Sequence, residues 1–345
     1  MYNIDTKYIV ALAKKFIETP SPTGYYTELK PVIEKYASML GYTVTYDNKS
    51  TAYIMVKGED TSRTVCIGTH ADTLGLMVRA VNPDGTIRVC ALGGTNYSNI
   101  EGENVTVHTR SGKKYTGMLV CRSHSSHSYD DSKTLLRDEN TVSVLLDEDV
   151  KSVSDVRALG IGNGDVISID PRYTLTDSGY IKSRFIDNKM AMAISFFALK
   201  YLAENKLKPK YNTLFSFSFY EEIGFGGAYV PPEVSELVAV DIGIIGPDSD
   251  GDEKKVSICA KDARMPYDYD LVNGLIAKAE KAGCRYAVDV FRRYSSDASQ
   301  AVSCGNNVKA AAIGMAVYSS HGVERAHIDG ITDTAKLVLA YLFDI

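Results

Sequence analysis

The chain has 345 residues, enough for about two domains, and its 45% hydrophobic content can fill more than one core, which excludes a disordered polypeptide. A formal net charge of -5, without clustered Lys and Arg, excludes nucleic acid as the main partner, since phosphate binding needs concentrated positive charge; peptide or other small substrates fit better. No run of about 18 apolar residues occurs, and Met1-Tyr2-Asn3-Ile4-Asp5 lacks the basic stretch and apolar core of a signal peptide, so a cytoplasmic chain with no membrane partner is expected.

Ile4, Tyr8, Leu12 and Phe16 place an apolar stripe on a first helix that stops before Thr19-Pro20-Ser21-Pro22, and a second helix ends at Gly41. Tyr42-Val44-Tyr46 and Ala52-Ile54-Val56 alternate as strands, and the apolar run Thr64-Val65-Cys66-Ile67 reads as a buried strand leading into His70. Beyond Leu76 the texture becomes short β-rich runs, at Thr86 to Val89, Asn104 to Thr109, Thr141 to Leu146 and Asp165 to Ile169, separated by turns such as Asn82-Pro83-Asp84-Gly85. After Asp187 a helical pattern runs through Leu202, followed by strands at Leu214 to Phe219 and Leu237 to Val240, and by alternating elements to Ile345. The expected fold is therefore α/β, with residues 1–75 and 180–345 forming one domain interrupted by a small all-β, barrel-like domain at 76–179. Six cysteines lie scattered without a CxxC pair and are expected as buried, reduced thiols.

Acidic residues and histidines gather just beyond the apolar strands: His70 with Asp72, Glu221 with Glu222, Asp241, and His321 after the Ala310-to-Val317 run. In open α/β sheets that carboxyl edge is where ligands bind. A hydrolytic two-metal site needs nitrogen and oxygen ligands on each ion, one shared carboxylate and an open position for water. In His70-Ala71-Asp72 the two side chains share one side of an extended chain, so Asp72 can take the second imidazole proton and fix the tautomer. Asp187 opens a helix and, taken alone, reads as its N-cap; a bridging role gains force because His70, Glu222, Asp241 and His321 need a shared anion. Glu221 and Glu222 precede Ile223-Gly224-Phe225-Gly226-Gly227, so one acid can bind metal while its neighbour moves protons. His124 and His127 read as parts of a polar loop in the β insertion, and His108 as an ordinary strand residue.

Six motifs carry a resemblance: Glu18-Thr19-Pro20-Ser21-Pro22-Thr23-Gly24, Thr69-His70-Ala71-Asp72, Gly164-Asp165-Val166, Phe185-Ile186-Asp187-Asn188-Lys189, Glu221-Glu222-Ile223-Gly224 and Ala239-Val240-Asp241. Together they resemble peptidase family M42, the tetrahedral and glutamyl-type aminopeptidases, over nearly the whole chain. The resemblance implies a mixed-sheet, phosphorylase/hydrolase-like metallopeptidase domain. It also implies a site for two divalent ions, zinc or cobalt, with Asp187 bridging, His70 and Asp241 on one ion, and Glu222 and His321 on the other. Glu221 is implied as general base, activating a bridging hydroxide that removes N-terminal residues from peptides, and the β insertion as the contact surface of a homo-oligomer, a dodecamer. The order of elements agrees, because the long insertion lies between His70 and Asp187 and not before the last histidine, as it does in carboxypeptidase-like relatives.

The chain departs from the family in having Lys189 where Arg is more usual, and His321-Gly322-Val323-Glu324 in place of a His-Ser-Pro-x-Glu-like stretch, which leaves His327 as a second candidate for the last ligand. Two other readings stand beside the aminopeptidase: a di-metal amidohydrolase or deacylase acting on a small modified peptide or amino acid, and a catalytically silent assembly or peptide-binding protein.

Overall fold

The computed structural model describes residues 2–345. The chain divides into two compact units: one runs to Asp72 and resumes over Arg172–Ile345, and the other spans Thr73–Pro171.

The first unit is built on an eight-stranded mixed sheet with the spatial order Thr45–Tyr46, Ala52–Val56, Tyr211–Ser218, Asp60–His70, Val234–Ile244, Lys309–Val317, Val256–Lys261 and Tyr286–Val290. The four strands from Tyr211–Ser218 to Lys309–Val317 are parallel. Covered on both faces, they are near-continuous apolar runs, as in Leu237-Val238-Ala239-Val240 and Ala310-Ala311-Ala312-Ile313, all buried. Because parallel strands end on the same edge, His70 and Ser218 are register partners there, and Asp241 sits opposite Gly314 close by.

The helix Ile186–Asn205 packs on Asp60–His70 and Val234–Ile244, and against the helices Thr6–Ile17 and Ile328–Phe343. Every residue from Met190 to Leu199 is buried, so the central turns of this helix have no solvent face and belong to the interior. Phe196 stacks between Phe16 and Phe217, with ring centroids 5.4 and 5.3 Å away, the offset and tilted geometry that aromatic rings favour. A separate three-stranded antiparallel sheet joins Thr174–Leu175, Tyr180–Ser183 and Glu324–His327.

The second unit contains a closed barrel of six strands, all paired antiparallel: Gly75–Val81, Ile87–Leu92, Val142–Leu146, Lys114–Cys121, Asn104–His108 and Val166–Ile169, in that spatial order. Its interior is filled by alternate residues such as Val105 and Val107, Val142 and Val144, and Ile167 and Ile169.

Two of these strands were not marked by the sequence pattern. Gly75–Val81 carries a register shift between Val78 and Ala80 that breaks its alternation. Lys114–Cys121 contains Gly117, where a Cβ would run into the Leu145 carbonyl of the neighbouring strand. Conversely, the strand expected over Tyr42-Val44-Tyr46 is only Thr45–Tyr46, because Tyr42 turns to the helix and donates to the Leu199 carbonyl at 3.2 Å. All six cysteines are free, but only Cys66, Cys121 and Cys259 are buried as expected; Cys90 and Cys284 are partly buried, and Cys304 is exposed at the end of the short helix Asp297–Ser303.

The close approach of Asp241 to its neighbour strand depends on Gly314, where a Cβ would collide with the Asp241 carbonyl. Gly314→Ala is expected to destabilise the fold by about 1–3 kcal/mol, the usual cost of overpacking, visible as a lower thermal midpoint by circular dichroism.

Candidate metal centre

His70 is 3% exposed at the end of its strand. Its Nε2 lies 2.8 Å from Asp187 Oδ1, 3.7 Å from Glu221 Oε2 and 3.9 Å from Asp241 Oδ1. Its Nδ1 faces Asp72, but the nearer partner is the Asp72 main-chain oxygen at 3.1 Å, with carboxylate Oδ1 at 3.5 Å. Asp72 thus meets the imidazole with its main-chain oxygen and, at longer range, its carboxylate. The Asp72 carboxylate is engaged elsewhere, accepting from the amides of Glu221 and Glu222, both at 3.2 Å, and from Thr23 Oγ1 at 2.8 Å. Asp72 therefore holds the Glu221 turn to the His70 strand.

Asp187 falls within the first turn of the helix Ile186–Asn205 but has non-helical φ and ψ, follows Phe185 at φ 68°, and is joined to Asn188 by a cis peptide bond. Asn188 Nδ2 donates to the Val240 carbonyl at 2.9 Å, tying this entry to the strand that carries Asp241. The Asp187 carboxylate consequently points away from the helix, with Oδ1 on His70 and Oδ2 3.9 Å from His321 Nε2. It is not an N-cap.

Glu221 and Glu222 occupy a 3-10 turn, Glu221–Ile223, closed by Gly224 at φ +75°. The two acids diverge, Glu221 toward His70 and Glu222 toward His321, whose Nε2 is 3.5 Å from Glu222 Oε2. His70, Asp187 and Glu222 offer ligand atoms all within 4.8 Å of one another, a spacing that can hold a metal ion. His321 has φ 65°, and its amide faces Glu324 Oε1 at 3.4 Å while Glu324 Oε2 accepts from the Asp187 amide at 3.0 Å. His327, the other candidate, is remote from this cluster in its bonding: Nδ1 accepts from Asp329 at 3.1 Å as the N-cap of Ile328–Phe343, and Nε2 faces the Ser178 carbonyl at 3.0 Å.

A profile of the M42 glutamyl aminopeptidase family matches residues 51–337. The chain belongs to this family. It is thereby a hydrolase of the aminopeptidase class. The chain is similar to YhfE of Bacillus subtilis (strain 168), at 38% identity over 332 residues and 96% of each chain. In fold it is similar to a TET aminopeptidase from the marine sediment archaeon Thaumarchaeota archaeon SCGC AB-539-E09 (TM-score 0.87, 16% identity, 97% of this chain and 96% of that one). It is also similar to the TET1 peptidase of Pyrococcus horikoshii (TM-score 0.84, 21% identity, 98% and 100%).

The electrostatics of this M42 site call for cations. Burial pushes the Glu222 carboxyl well above its usual range, with Asp187 adding to the shift, and pushes Asp241 up to about 7. Burial likewise raises Glu221, reinforced by Asp241, Asp297 and Glu222, although His70 opposes the rise. Asp187 goes the other way: burial would raise it, but the hydrogen bond and charge of His70, with His321, lower it. For His70, burial would lower the pKa, yet Glu221, Asp187 and Asp72 raise it well above the ordinary histidine value. Carboxylates and imidazoles converging in this crowded space are donors of the kind that divalent metal ions favour, and His70, Asp187 and Glu222 fit such an ion.

Residues that sequence reasoning passed over complete the centre. Asp297 accepts from Ser218 Oγ at 2.5 Å and from the Gly227 amide at 2.7 Å, fastening the glycine-rich bend. Glu324 was quoted only as part of a shifted motif, and its carboxylate spans the two ligand loops. Lys189, quoted only as a departure, is wholly buried and donates to Ser21 Oγ, which in turn donates to the Ala71 carbonyl at 2.7 Å. No local pattern marks Asp297, but an acid at the start of a capped helix beyond a strand is the signal that could have found it.

The raised carboxyls set a pH dependence. Asp241 binds its proton more tightly folded, at about 7, than unfolded, so between the two values the folded state holds more protons and stability falls as pH rises. Metal ions need the deprotonated carboxylates and bind the folded chain. Added zinc or cobalt is therefore expected to raise the melting temperature of chelator-stripped protein more at pH 7.5 than at pH 5, measured by differential scanning fluorimetry.

Proposed function

We propose that the chain is a dinuclear metal-dependent aminopeptidase in which Asp187 is shared between two divalent ions. His70 and Asp241 complete the ligands of one ion, and Glu222 and His321 those of the other. The observation that carries this reading is the Asp187 carboxylate, whose two oxygens face two different imidazoles, Oδ1 that of His70 and Oδ2 that of His321. Bound zinc or cobalt supplies Lewis acidity that polarises the scissile carbonyl and acidifies water.

The chain's own residues do the rest. Glu221 lies on the cavity side of His70 and is kept basic by burial, so it takes a proton from attacking water and delivers it to the leaving amine. Asp72 orients both ends of the arrangement, through the His70 ring and the Glu221 and Glu222 amides. A cavity of about 830 Å³ opens beside Asp187, Glu221, Glu222, Asp241 and His321, with room for an N-terminal residue and its neighbour.

Glu221→Gln is expected to retain two metal ions per chain by elemental analysis while lowering kcat on aminoacyl chromogenic substrates by about 10²- to 10⁴-fold. Unchanged kcat with full metal content would refute the assignment of the base.

Arg264, Arg292 and Arg293 also line this cavity, and none pairs with a carboxylate among the described residues. Their unneutralised guanidiniums support a preference for substrates that carry a carboxylate. Replacing Arg292 and Arg293 together by Ala is expected to weaken kcat/KM for an N-terminal glutamyl substrate by about 10- to 100-fold relative to a leucyl one, the worth of a charged hydrogen bond.

For assembly, the reading is a homo-oligomer with the Thr73–Pro171 unit as its contact domain. It is supported by the similar Pyrococcus horikoshii peptidase, which can assemble into a tetrahedron or a large octahedral shell. No helix among the described residues is long and apolar enough to cross a membrane.

A further inference from the structure

Of the three unpaired arginines that line the cavity, Arg264 has its guanidinium against the turn that carries Glu221 and Glu222. Gly224 closes that turn at φ +75°, and a Cβ placed on it would lie only 3.3 Å from Arg264 Nη2. Glycine therefore serves twice here, for the left-handed backbone and for the space the guanidinium occupies.

Arg264 is exposed, yet its main chain is held firmly. The turn that carries it is closed by an antiparallel bridge between Lys261 and Pro266. Inside the turn lies Asp262, fully buried. Its Oδ1 accepts from the amides of Arg264 at 2.8 Å and Met265 at 3.0 Å, and its Oδ2 accepts from the Tyr267 hydroxyl at 2.9 Å. That hydroxyl also bonds Ser296 Oγ at 2.7 Å, at the cap of the helix Asp297–Ser303. The Ala263 amide donates to the Tyr294 carbonyl at 2.8 Å, and the Phe291 amide to the Lys261 carbonyl at 2.8 Å, so the turn is laced to the segment that bears Arg292 and Arg293.

Asp262 thus engages the main chain of Arg264 and leaves its guanidinium without a carboxylate partner among the described residues. A guanidinium is a planar fork that matches a carboxylate with two parallel hydrogen bonds. Rooting the fork on a fixed turn reduces the ordering cost that a mobile loop would incur on binding.

We propose that Arg264 is a specificity-determining residue that binds a carboxylate of the substrate, and that Asp262 is the positioning residue that holds the turn for it. This rests on the carboxylate preference argued above and narrows it to one guanidinium and its support. The carboxylate has two possible sources, the side chain of an acidic N-terminal residue and the C-terminus of a dipeptide.

The test compares substrates that differ only in that charge: glutamyl against glutaminyl p-nitroanilide, and leucylglycine against leucylglycinamide. Arg264→Ala is expected to lower the acid-to-amide ratio of kcat/KM by about 10- to 100-fold in one pair, mainly through KM, and the affected pair identifies the source. Unchanged ratios in both pairs would overturn the proposal. Asp262→Ala should lower the same ratio, and should lower it no further when Arg264 is already Ala. An equal loss on acid and amide, or the same additional drop in the Arg264→Ala background, would overturn the positioning role. Should Asp262→Ala fail to fold, Asp262→Asn keeps an oxygen for the two amides and should hold the wild-type ratio; a lowered ratio there counts against Asp262 acting through those amides. Wild-type protein that cleaves acid and amide equally well would sink the carboxylate preference itself, and this proposal with it. A wild type that prefers the acid, beside an Arg264→Ala variant that prefers it as strongly, would sink only the assignment to Arg264.

Discussion

Crowded negative charge in a dry place governs this molecule. Asp187, Glu221, Glu222 and Asp241 are brought together with Glu324 beside Asp187, and burial disfavours the ionised form of most of these groups. Such a cluster persists in a folded chain only when hydrogen bonds and cations offset the desolvation. The protein supplies hydrogen bonds with main-chain amides: those of Glu221 and Glu222 to Asp72, and those of Asp187 and His321 to Glu324. What remains uncompensated is a cavity-facing set of oxygens and imidazole nitrogens, which is what a divalent cation needs.

The parallel sheet makes this crowding possible. Its strands deliver His70, the Glu221 turn, Asp241 and the His321 loop to one edge, although they lie as much as 251 positions apart in the chain. The segments that carry these residues are then secured by neighbours from elsewhere in the chain. Thr23 holds Asp72, Asn188 reaches Val240, and Asp297 anchors Ser218 and Gly227. The Thr19-Pro20-Ser21-Pro22-Thr23 stretch, which looks like a plain loop, works as a clasp on the end of the His70 strand, with Ser21 accepting from the buried Lys189 Nζ and donating to the Ala71 carbonyl.

Much of this was legible in the sequence, because strand-end acids and histidines follow apolar runs whose periodicity is strong. His70, Glu222 and Asp241 stand where such runs end. Local patterns could not show Asp187 turned out of its helix, since that depends on the backbone of Phe185 to Asn188 and on Glu324, 137 positions away. Nor could they separate His321 from His327, six residues apart, because the bond from the Asp329 amide that makes His327 the cap of the last helix is not written in any local pattern. For Asp72, local patterns pointed to His70 but could not show that its main-chain oxygen makes the shorter contact, or that the Glu221 and Glu222 amides also bond its carboxylate.

The helix Ile186–Asn205 has no solvent face along its central turns, and Asp187 stands at its entry. A residue that shifts this helix shifts the carboxylate between His70 and His321. Ordinary enzymes offer an engineer separate dials, a core to stiffen and a site to tune. Here the two are one part: along Met190 to Leu199, a change made for thermal resistance is also a change in the reaction centre, and adaptation of one must be selected together with the other.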